Sequence, residues 1–520
     1  MDKSTKKVVA QIKRHRTLKI AQVARKAFAQ HRKGDQAGMS ATIVDEFVGL
    51  GGVYVKFLQG VLLQSKLLKN STSVNKLRIF ENLDYEPVNL PPFLQAELGR
   101  EQLGQLASIN PAPFAAGSFG QVYYGTHRDG TPIIIKVLRP LVRETLKYDL
   151  RLLGMFMKRF MDRSYKNIDL NLKNALNDFK QATLRETDYV EEAHFADELY
   201  QYYKGNELFI IPKTYTDLCT PNIIVQEYVD GISGAQLVKL QDQGVEPKTY
   251  IQEMLGSDLD EQLITVGYEY LYGVFNLDRI QGDPHPGNVR FLPGNKVGLI
   301  DFGISARTPV EKAAFLDLCR EYEKLYSGDH DVASLFNQFL KFFVNDLYRA
   351  LKKMNTVMPK KESSEDFTKL VGKVAEQAFA DSDIGHGVPL SALIQDGNET
   401  NMMMVVNKIV NKNNRFGLVM KLESSEMLRA AQTYFTLVET LGRRKQVLPE
   451  VFHRVIADVE KNLPGLMEED EDNTSISDAL EIIGNWLERI AERDPKLFQK
   501  LMDRLRNKEI LEIVDTKGVK

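Results

Sequence analysis

The sequence predicts an α+β chain, with a small sheet in its first half and helices nearly everywhere else. Three observations predict it. Apolar residues before residue 90 recur at helical spacing, as in Tyr54, Phe57, Leu58, Val61 and Leu62. From Phe114 the period falls to that of strands, with Gln121–Gly125 and Pro132–Leu138 placed either side of the turn Arg128-Asp-Gly130. Near residue 300 a short apolar strand runs into Asp301-Phe302-Gly303, and the residues after it return to helical patterning.

In chain order, residues 1–90 read as a helical extension, closed by the helix-breaking stretch Pro87 to Pro92. Residues 91–229 hold the strands, a long helical stretch from about Arg143 to Tyr203, and a further strand over Ile223–Val229 that ends at Asp230-Gly231. Residues 230–465 read as a helical lobe around the loop at Asp283. Residues 466–520 comprise the charged linker Glu468-Glu-Asp-Glu-Asp472 and an amphipathic helix marked by Leu480, Ile483, Leu487 and Ile490. There is no internal repeat and no zinc-type Cys/His spacing.

At 520 residues the chain is long enough for two to four domain-sized units. Hydrophobic residues at 43% and charged residues at 27% fit an ordinary globular protein, and a net charge of −2 gives no general attraction to nucleic acid. Cys219 and Cys319 make no disulfide framework, which points to a reducing compartment. No apolar run approaches the roughly 20 residues needed to span a bilayer. The expected location is the cytoplasm, with a peripheral membrane contact as the alternative. The basic start suggests that contact: Lys6, Lys7, Lys13, Arg14, Arg16, Lys19, Arg25, Lys26 and Arg32 face a single acid, Asp2. Val9, Ile12, Ile20, Val23 and Ala27 share one helical face. That pattern suits a lipid surface or a partner, and equally a helix packed on its own domain.

The densest chemistry lies in Gln281-Gly-Asp283-Pro-His285-Pro-Gly-Asn288 and Asp301-Phe302-Gly303. An Asp followed five residues later by Asn, and then by a strand ending in Asp-Phe-Gly, is the pattern of a phosphoryl-transfer site. Asp283 is the residue expected to position the attacking hydroxyl and accept its proton. Asn288 and Asp301 offer hard oxygen ligands to Mg²⁺. His285, flanked by prolines, is expected to shape the loop.

Upstream, Ala115, Ala116, Gly117, Ser118, Phe119, Gly120 and Val122 form a small-residue loop. Backbone N–H groups there can approach phosphates because no bulky side chain intervenes; taken alone, the loop fits an ordinary hairpin equally well. Lys136 follows three β-branched residues in the next strand. A lysine turned toward a core needs an anion, here the α- and β-phosphates of ATP or ADP. Glu192 is the expected orienting carboxylate, with Glu186 and Asp188 as further acids. Gln226 to Val229 read as the adenine-facing segment, with the backbone of Glu227 and Val229 toward the base. Two absences argue against a peptide substrate. Gly282 stands where protein kinases place an Arg, and Ser305-Ala-Arg-Thr-Pro-Val runs straight into a helix with no Ala-Pro-Glu segment.

Taken together, these motifs resemble the UbiB/AarF/ABC1 (ADCK-like) family of atypical kinases, from about Gly51 to about Arg307. The resemblance implies a bilobal protein-kinase-like fold and ATPase activity clearer than protein phosphorylation. It also implies a link to ubiquinone biosynthesis and lipid homeostasis. The family's Lys-x-Gly-Gln extension motif is matched by Lys56-Phe-Leu-Gln59, so Lys56 and Gln59 would reach toward the nucleotide and the Glu186/Asp188 carboxylates. The chain departs from the family at Leu58, where the motif has glycine, and at Gly117, where the family's loop has a third alanine. The sequence thus leads to a Mg-ATP-dependent atypical kinase or ATPase. The alternatives are a small-molecule phosphotransferase of the aminoglycoside/choline kinase type and a nucleotide-binding pseudokinase scaffold. Indifference to loss of Lys56 would favour the first, and binding without turnover the second.

Overall fold

The computed structural model describes residues 3–58, 87–117, 119–164, 170–308, 311–327 and 422–467, with scattered helical positions between 334 and 342 and between 482 and 499. Gln59, Ser118, the acidic run 468–472 and the side chains of Leu480, Ile483, Leu487 and Ile490 lie outside the described residues. The chain divides into two compact units. The first comprises Met1–Gly205, Ile211–Asp230 and Ile300–Ile304; the second comprises Asn206–Ile210, Gly231–Leu299 and Ser305–Lys520. Both mix helices with small sheets, the α+β class the sequence predicts.

The first unit opens with α1 (Lys3–Arg32), α2 (Gln36–Leu50) and α3 (Val53–Phe57). Asp35 caps α2 by accepting from Gly38 N at 2.8 Å. The α2–α3 turn needs Gly51 and Gly52, whose φ values are +66° and +50°. Val23, Ala27, Phe47, Tyr54 and Phe57 bury against Phe156 and Tyr189 in one apolar cluster. The Phe47 ring meets Tyr54 and Phe156 edge-on, with centroids 5.4 and 5.3 Å away. Each of the larger side chains among these contributes roughly 1.5–3 kcal/mol on burial, so the extension is part of this unit's core. Leu58, where the resembling family has glycine, is itself fully buried in the same cluster.

After α4 (Leu90–Glu97) and α5 (Arg100–Leu103) come β1 (Leu106–Ile109), β2 (Ala115–Ala116), β3 (Gly120–His127) and β4 (Pro132–Leu138). β5 (Phe209–Ile210) belongs to the second unit, and β6 (Ile223–Glu227) completes the first unit's sheet. The sheet order is β1-β3-β4-β6, with β2 paired to β3. Alternation along β4 turns Ile133, Ile135 and Val137 toward Leu90 and Leu94 of α4. It leaves Ile134, Lys136 and Leu138 on the opposite face. Antiparallel register aligns Val122, Lys136 and Ile224 across three strands.

The long helical stretch read from Arg143 to Tyr203 is three helices, α6 (Val142–Ser164), α7 (Leu170–Arg185) and α8 (Tyr189–Tyr203). Glu186-Thr-Asp188 is the break between the last two. Asp188 accepts from Glu191 N at 3.4 Å and caps α8.

In the second unit, α9 (Gly234–Asp242), α10 (Pro247–Leu255) and α11 (Leu259–Asn276) precede β8 (Arg279–Gln281), β9 (Val289–Phe291) and β10 (Val297–Leu299). With β7 (Ile232–Ser233) the small sheet runs β5-β10-β9-β7. The residues after Gly303 do not pass directly into a helix. Ser305–Arg307 forms β11, antiparallel to β8, and α12 (Lys312–Ser327) follows. The strand pairing satisfies backbone groups that a helix starting at Ser305 would also have to satisfy at its first turn. α11 packs against α13 (Leu422–Thr440) and α14 (Arg444–Asn462). Tyr434 donates to Leu263 O at 2.8 Å, and its ring leaves no room for a side chain at Gly267. Among the described residues no helix is long and apolar enough to cross a membrane.

Candidate functional site

Strand alternation buries Lys136, and the capped start of α8 carries Glu192 to it: Lys136 Nζ donates to Glu192 Oε1 at 2.7 Å. Asp301 Oδ2 lies 3.5 Å from the same Nζ. Burial works against the ammonium, but Asp301 and Glu192 outweigh it, so Lys136 stays protonated well beyond the usual lysine range. The Glu192 carboxyl is pushed up by burial first and by Asp301 as well, with Lys136 opposing. Two carboxylates therefore face one ammonium, a set that favours an added cation.

Asp301 also accepts from Gly303 N at 3.0 Å. A Cβ on Gly303 would stand 3.2 Å from Glu192 Oε2, so glycine lets the chain pass close to the ion pair. Phe302 is buried edge-on against Phe195 of α8, which ties Asp-Phe-Gly to the helix bearing Glu192.

The small-residue loop is a hairpin. Ala115 and Ala116 pair with Val122 and Gln121, and Gly117 N donates to Gly120 O at 2.9 Å. Gly117 faces open space. Gly120 does not: a Cβ there would collide with the Tyr189 hydroxyl and stand 3.0 Å from Val137 O. Phe119 turns inward to the core beside Leu138 and Tyr189, and its carbonyl accepts from Arg139 N at 2.9 Å. Val122 shares the face of Lys136 through its register. Lys56 forms an ion pair with Glu186, and its Nζ lies 5.7 Å from the centre of the Phe119 ring. The Asp188 carboxylate is used as the α8 cap. Glu227 N donates to Lys213 O at 2.9 Å, and its carboxylate accepts from Lys213 N at 3.3 Å. Val229 is buried next to it.

In the second unit, Asn288 Nδ2 donates to Asp283 O at 3.0 Å, and Asn288 N to His285 O at 2.8 Å. The Asn288 amide oxygen is then the atom with lone pairs to offer a cation. His285 Nδ1 accepts from Gly287 N at 2.9 Å, so this ring folds the loop. Sequence reasoning missed Gln281. Its amide grips Asp283 from both sides, donating to Asp283 O at 2.8 Å and accepting from Asp283 N at 3.1 Å. It missed Tyr189 too, the residue that sets the size limit at Gly120. Only proximity to a motif residue could have marked either one. Among the described residues no three His, Cys, Asp or Glu side chains cluster as a metal site on their own. A magnesium ion here would rely on an amide oxygen and on ligand oxygens, as this ion commonly does.

Comparison with known proteins gives one matching family model, the ABC1 atypical kinase-like domain, over residues 83–334. The chain is 27% identical over 266 residues to the Arabidopsis thaliana protein named Activity of BC1 complex kinase 1, chloroplastic, covering 49% of this chain and 36% of that one. It is 26% identical over 367 residues to the probable protein kinase UbiB of Azotobacter vinelandii, covering 68% of this chain and 62% of that one. The chain thus spans less than two thirds of either relative. A solved erythromycin complex of a Mycobacterium tuberculosis protein is 18% identical, with a TM-score of 0.44 over 75% of this chain and 85% of the other.

Proposed function

We propose that the chain, whose residues 83–334 match the ABC1 atypical kinase-like domain, is a UbiB-type atypical kinase or ATPase that uses magnesium-bound ATP. The observation that carries the proposal is the buried Lys136–Glu192 pair with Asp301 beside it. An ammonium held this way is fixed in position and fully charged, as binding of the α- and β-phosphates requires. Glu192 orients Lys136. Within the first unit Asp301 would offer an oxygen to a metal; within the second unit the Asn288 amide oxygen is likewise a donor, and Asp283, held by Gln281, would position the acceptor hydroxyl or water and take its proton. When bound, magnesium neutralises charge on the phosphate oxygens. Val122 and the backbone of Glu227 and Val229 receive the base. Ala115, Ala116, Gly117 and Gly120 would cover the phosphates, and the Lys56–Glu186 ion pair, with Lys56 beside the Phe119 ring, would hold the extension near the loop.

We further propose that the activity serves lipid or isoprenoid-quinone homeostasis, as the family resemblance of the motifs implies. The solvent face of α1 supports a peripheral membrane contact: Lys7, Arg14, Arg25 and Arg32 are exposed there with Leu18, which is 57% exposed. Nothing in the charge balance calls for nucleic acid. The test is Asp301→Asn, with Mg-ATP binding and phosphate release measured with and without anionic liposomes. Loss of magnesium-dependent binding and turnover is expected. Turnover equal to that of the unaltered chain would sink the assignment.

A further inference from the structure

The first unit presents a patch of aromatic rings that neither its core nor the phosphate chemistry uses. We infer that Phe114, Tyr124 and Tyr228 form a stacking platform for the planar base of the bound nucleotide. The inference rests on the nucleotide reading above and adds the side chains that hold the base.

Three observations lead there. The first is exposure. Phe114 is 53% and Tyr124 38% exposed, although aromatic side chains are among those that gain most from burial. Neither the apolar cluster around α1–α3 nor the one under α4 includes any of the three rings. Uncovered apolar side chains gathered in one patch mark a binding surface, whereas a lone one does not. The second is mutual contact. The Tyr228 ring meets Tyr124 edge-on with centroids 5.3 Å apart, and Phe114 edge-on at 6.4 Å. Edge-on contact orders the rings without stacking their faces on one another, and a flat ligand stacks on a face.

The third observation is place. Register sets Val122 opposite Lys136, Tyr124 opposite Ile134, and Gln226 opposite Ile134 on the other side. Tyr228 N donates to Pro132 O at 2.9 Å. Steps of two from Lys136 through Ile134 to Pro132 therefore put Tyr124 and Tyr228 on the Lys136 face of the sheet. Phe114 N donates to Val122 O at 3.0 Å, and its ring reaches the same patch through Tyr228. Tyr124 lies two residues beyond Val122, roughly 7 Å along the strand, the span that a ribose bridges between α-phosphate and base. With the phosphates on Lys136, the base arrives at the rings. A free aromatic molecule would suit the rings equally, but the base alone is tethered to phosphates held on that face.

The test titrates Mg-ATP and Mg-tripolyphosphate, which carries no base, into the full chain by calorimetry. Because the rings are exposed, Phe114→Ala and Tyr124→Ala should fold as the original chain does, checked by the far-UV spectrum. Each is expected to weaken Mg-ATP by about tenfold and to leave tripolyphosphate unchanged. Phe114→Tyr, which keeps a ring, should keep the affinity for Mg-ATP. Lys136→Met should weaken both ligands. Mg-ATP affinity unchanged in both alanine variants, with Lys136→Met still weakening it, would overturn this inference and leave the nucleotide reading standing. Equal losses for ATP and tripolyphosphate in the alanine variants would also overturn it, since the rings would then act on the fold rather than on the base. Failure of the unaltered chain to bind Mg-ATP would overturn both.

Discussion

Replacing Gly120 with alanine separates two explanations of why that residue is small. If glycine serves only the approach of phosphate, the variant loses nucleotide affinity and keeps its stability. The packing says otherwise: the added methyl meets the Tyr189 hydroxyl and the Val137 carbonyl oxygen, the latter at 3.0 Å. Tyr189 is buried at the first turn of α8, and Val137 lies in the central strand β4. Neither can retreat freely, so the cost is that of overpacking, about 2 kcal/mol. For a unit of this size that lowers its melting transition by roughly 4–8 °C. The second half of the test is Tyr189→Phe. With the hydroxyl gone, the nearest ring atom is 3.8 Å from the methyl, an ordinary contact, and only the carbonyl remains tight. Gly120→Ala should then cost about 1 kcal/mol less in the Tyr189→Phe background than in the original chain, a coupling in the range measured for touching residues. The assay is urea unfolding of the four proteins of the cycle, followed by circular dichroism. Zero coupling, or a Gly120→Ala chain as stable as the original, refutes the packing explanation.

Lys136→Met leaves the Glu192 carboxyl buried without its cation and should destabilise the first unit by about 3–5 kcal/mol, read from the same unfolding curves. Part of that loss should return in the Lys136→Met/Glu192→Gln double variant. On α11, two carboxyls respond to pH in opposite senses. Glu269 is pushed up by burial, against the pull of its hydrogen bond from Asn206. Its contribution is therefore full below its unfolded value near 4.5 and fades as pH rises through the folded value. Glu269→Gln should accordingly raise the melting temperature at neutral pH, and an unchanged or lower melting temperature there would contradict the assignment. Asp260 experiences a burial penalty that Arg443 and Lys248 outweigh, so it is held below the ordinary Asp value. Its contribution is present above the unfolded value and is lost as pH falls through the folded one. Arg443→Gln should cost about 1–2 kcal/mol at pH 7 and flatten that acid limb.

The parts of the site legible in the sequence rest on periodicity or short spacing. Strand alternation is enough to turn Lys136 to the face opposite Ile135 and Val137. The five-residue step from Asp283 to Asn288 is short enough for the amide of one to reach the carbonyl of the other. The unread features depend on distant packing. β1 shows no apolar alternation over Leu106–Ile109 and exists because Gly125 and its neighbours offer it a ladder. Gly120 reads as a phosphate-loop glycine, although Tyr189, 69 positions later, limits its size. Asp188 reads as a spare acid and is a helix cap. The basic start of the chain suits a lipid surface, a partner or its own domain equally by pattern, and only the packing shows that Val23 and Ala27 of α1 are fully buried in the core they share with Phe156.

The first unit draws its last piece, Ile300–Ile304, from far along the chain. That piece brings Phe302 against Phe195 and Asp301 to Lys136, so the unit cannot finish assembling until the ribosome has made it. Between Asp230 and Ile300 about 70 residues intervene, which at roughly 5–20 residues per second is about 4–14 s of synthesis. Throughout that interval the nascent sheet presents the bare flank of α8 and an ammonium with only one of its two counter-charges. The protein's exposure to misfolding and to chaperones is thus concentrated in one window of translation, which closes as Gly303 emerges.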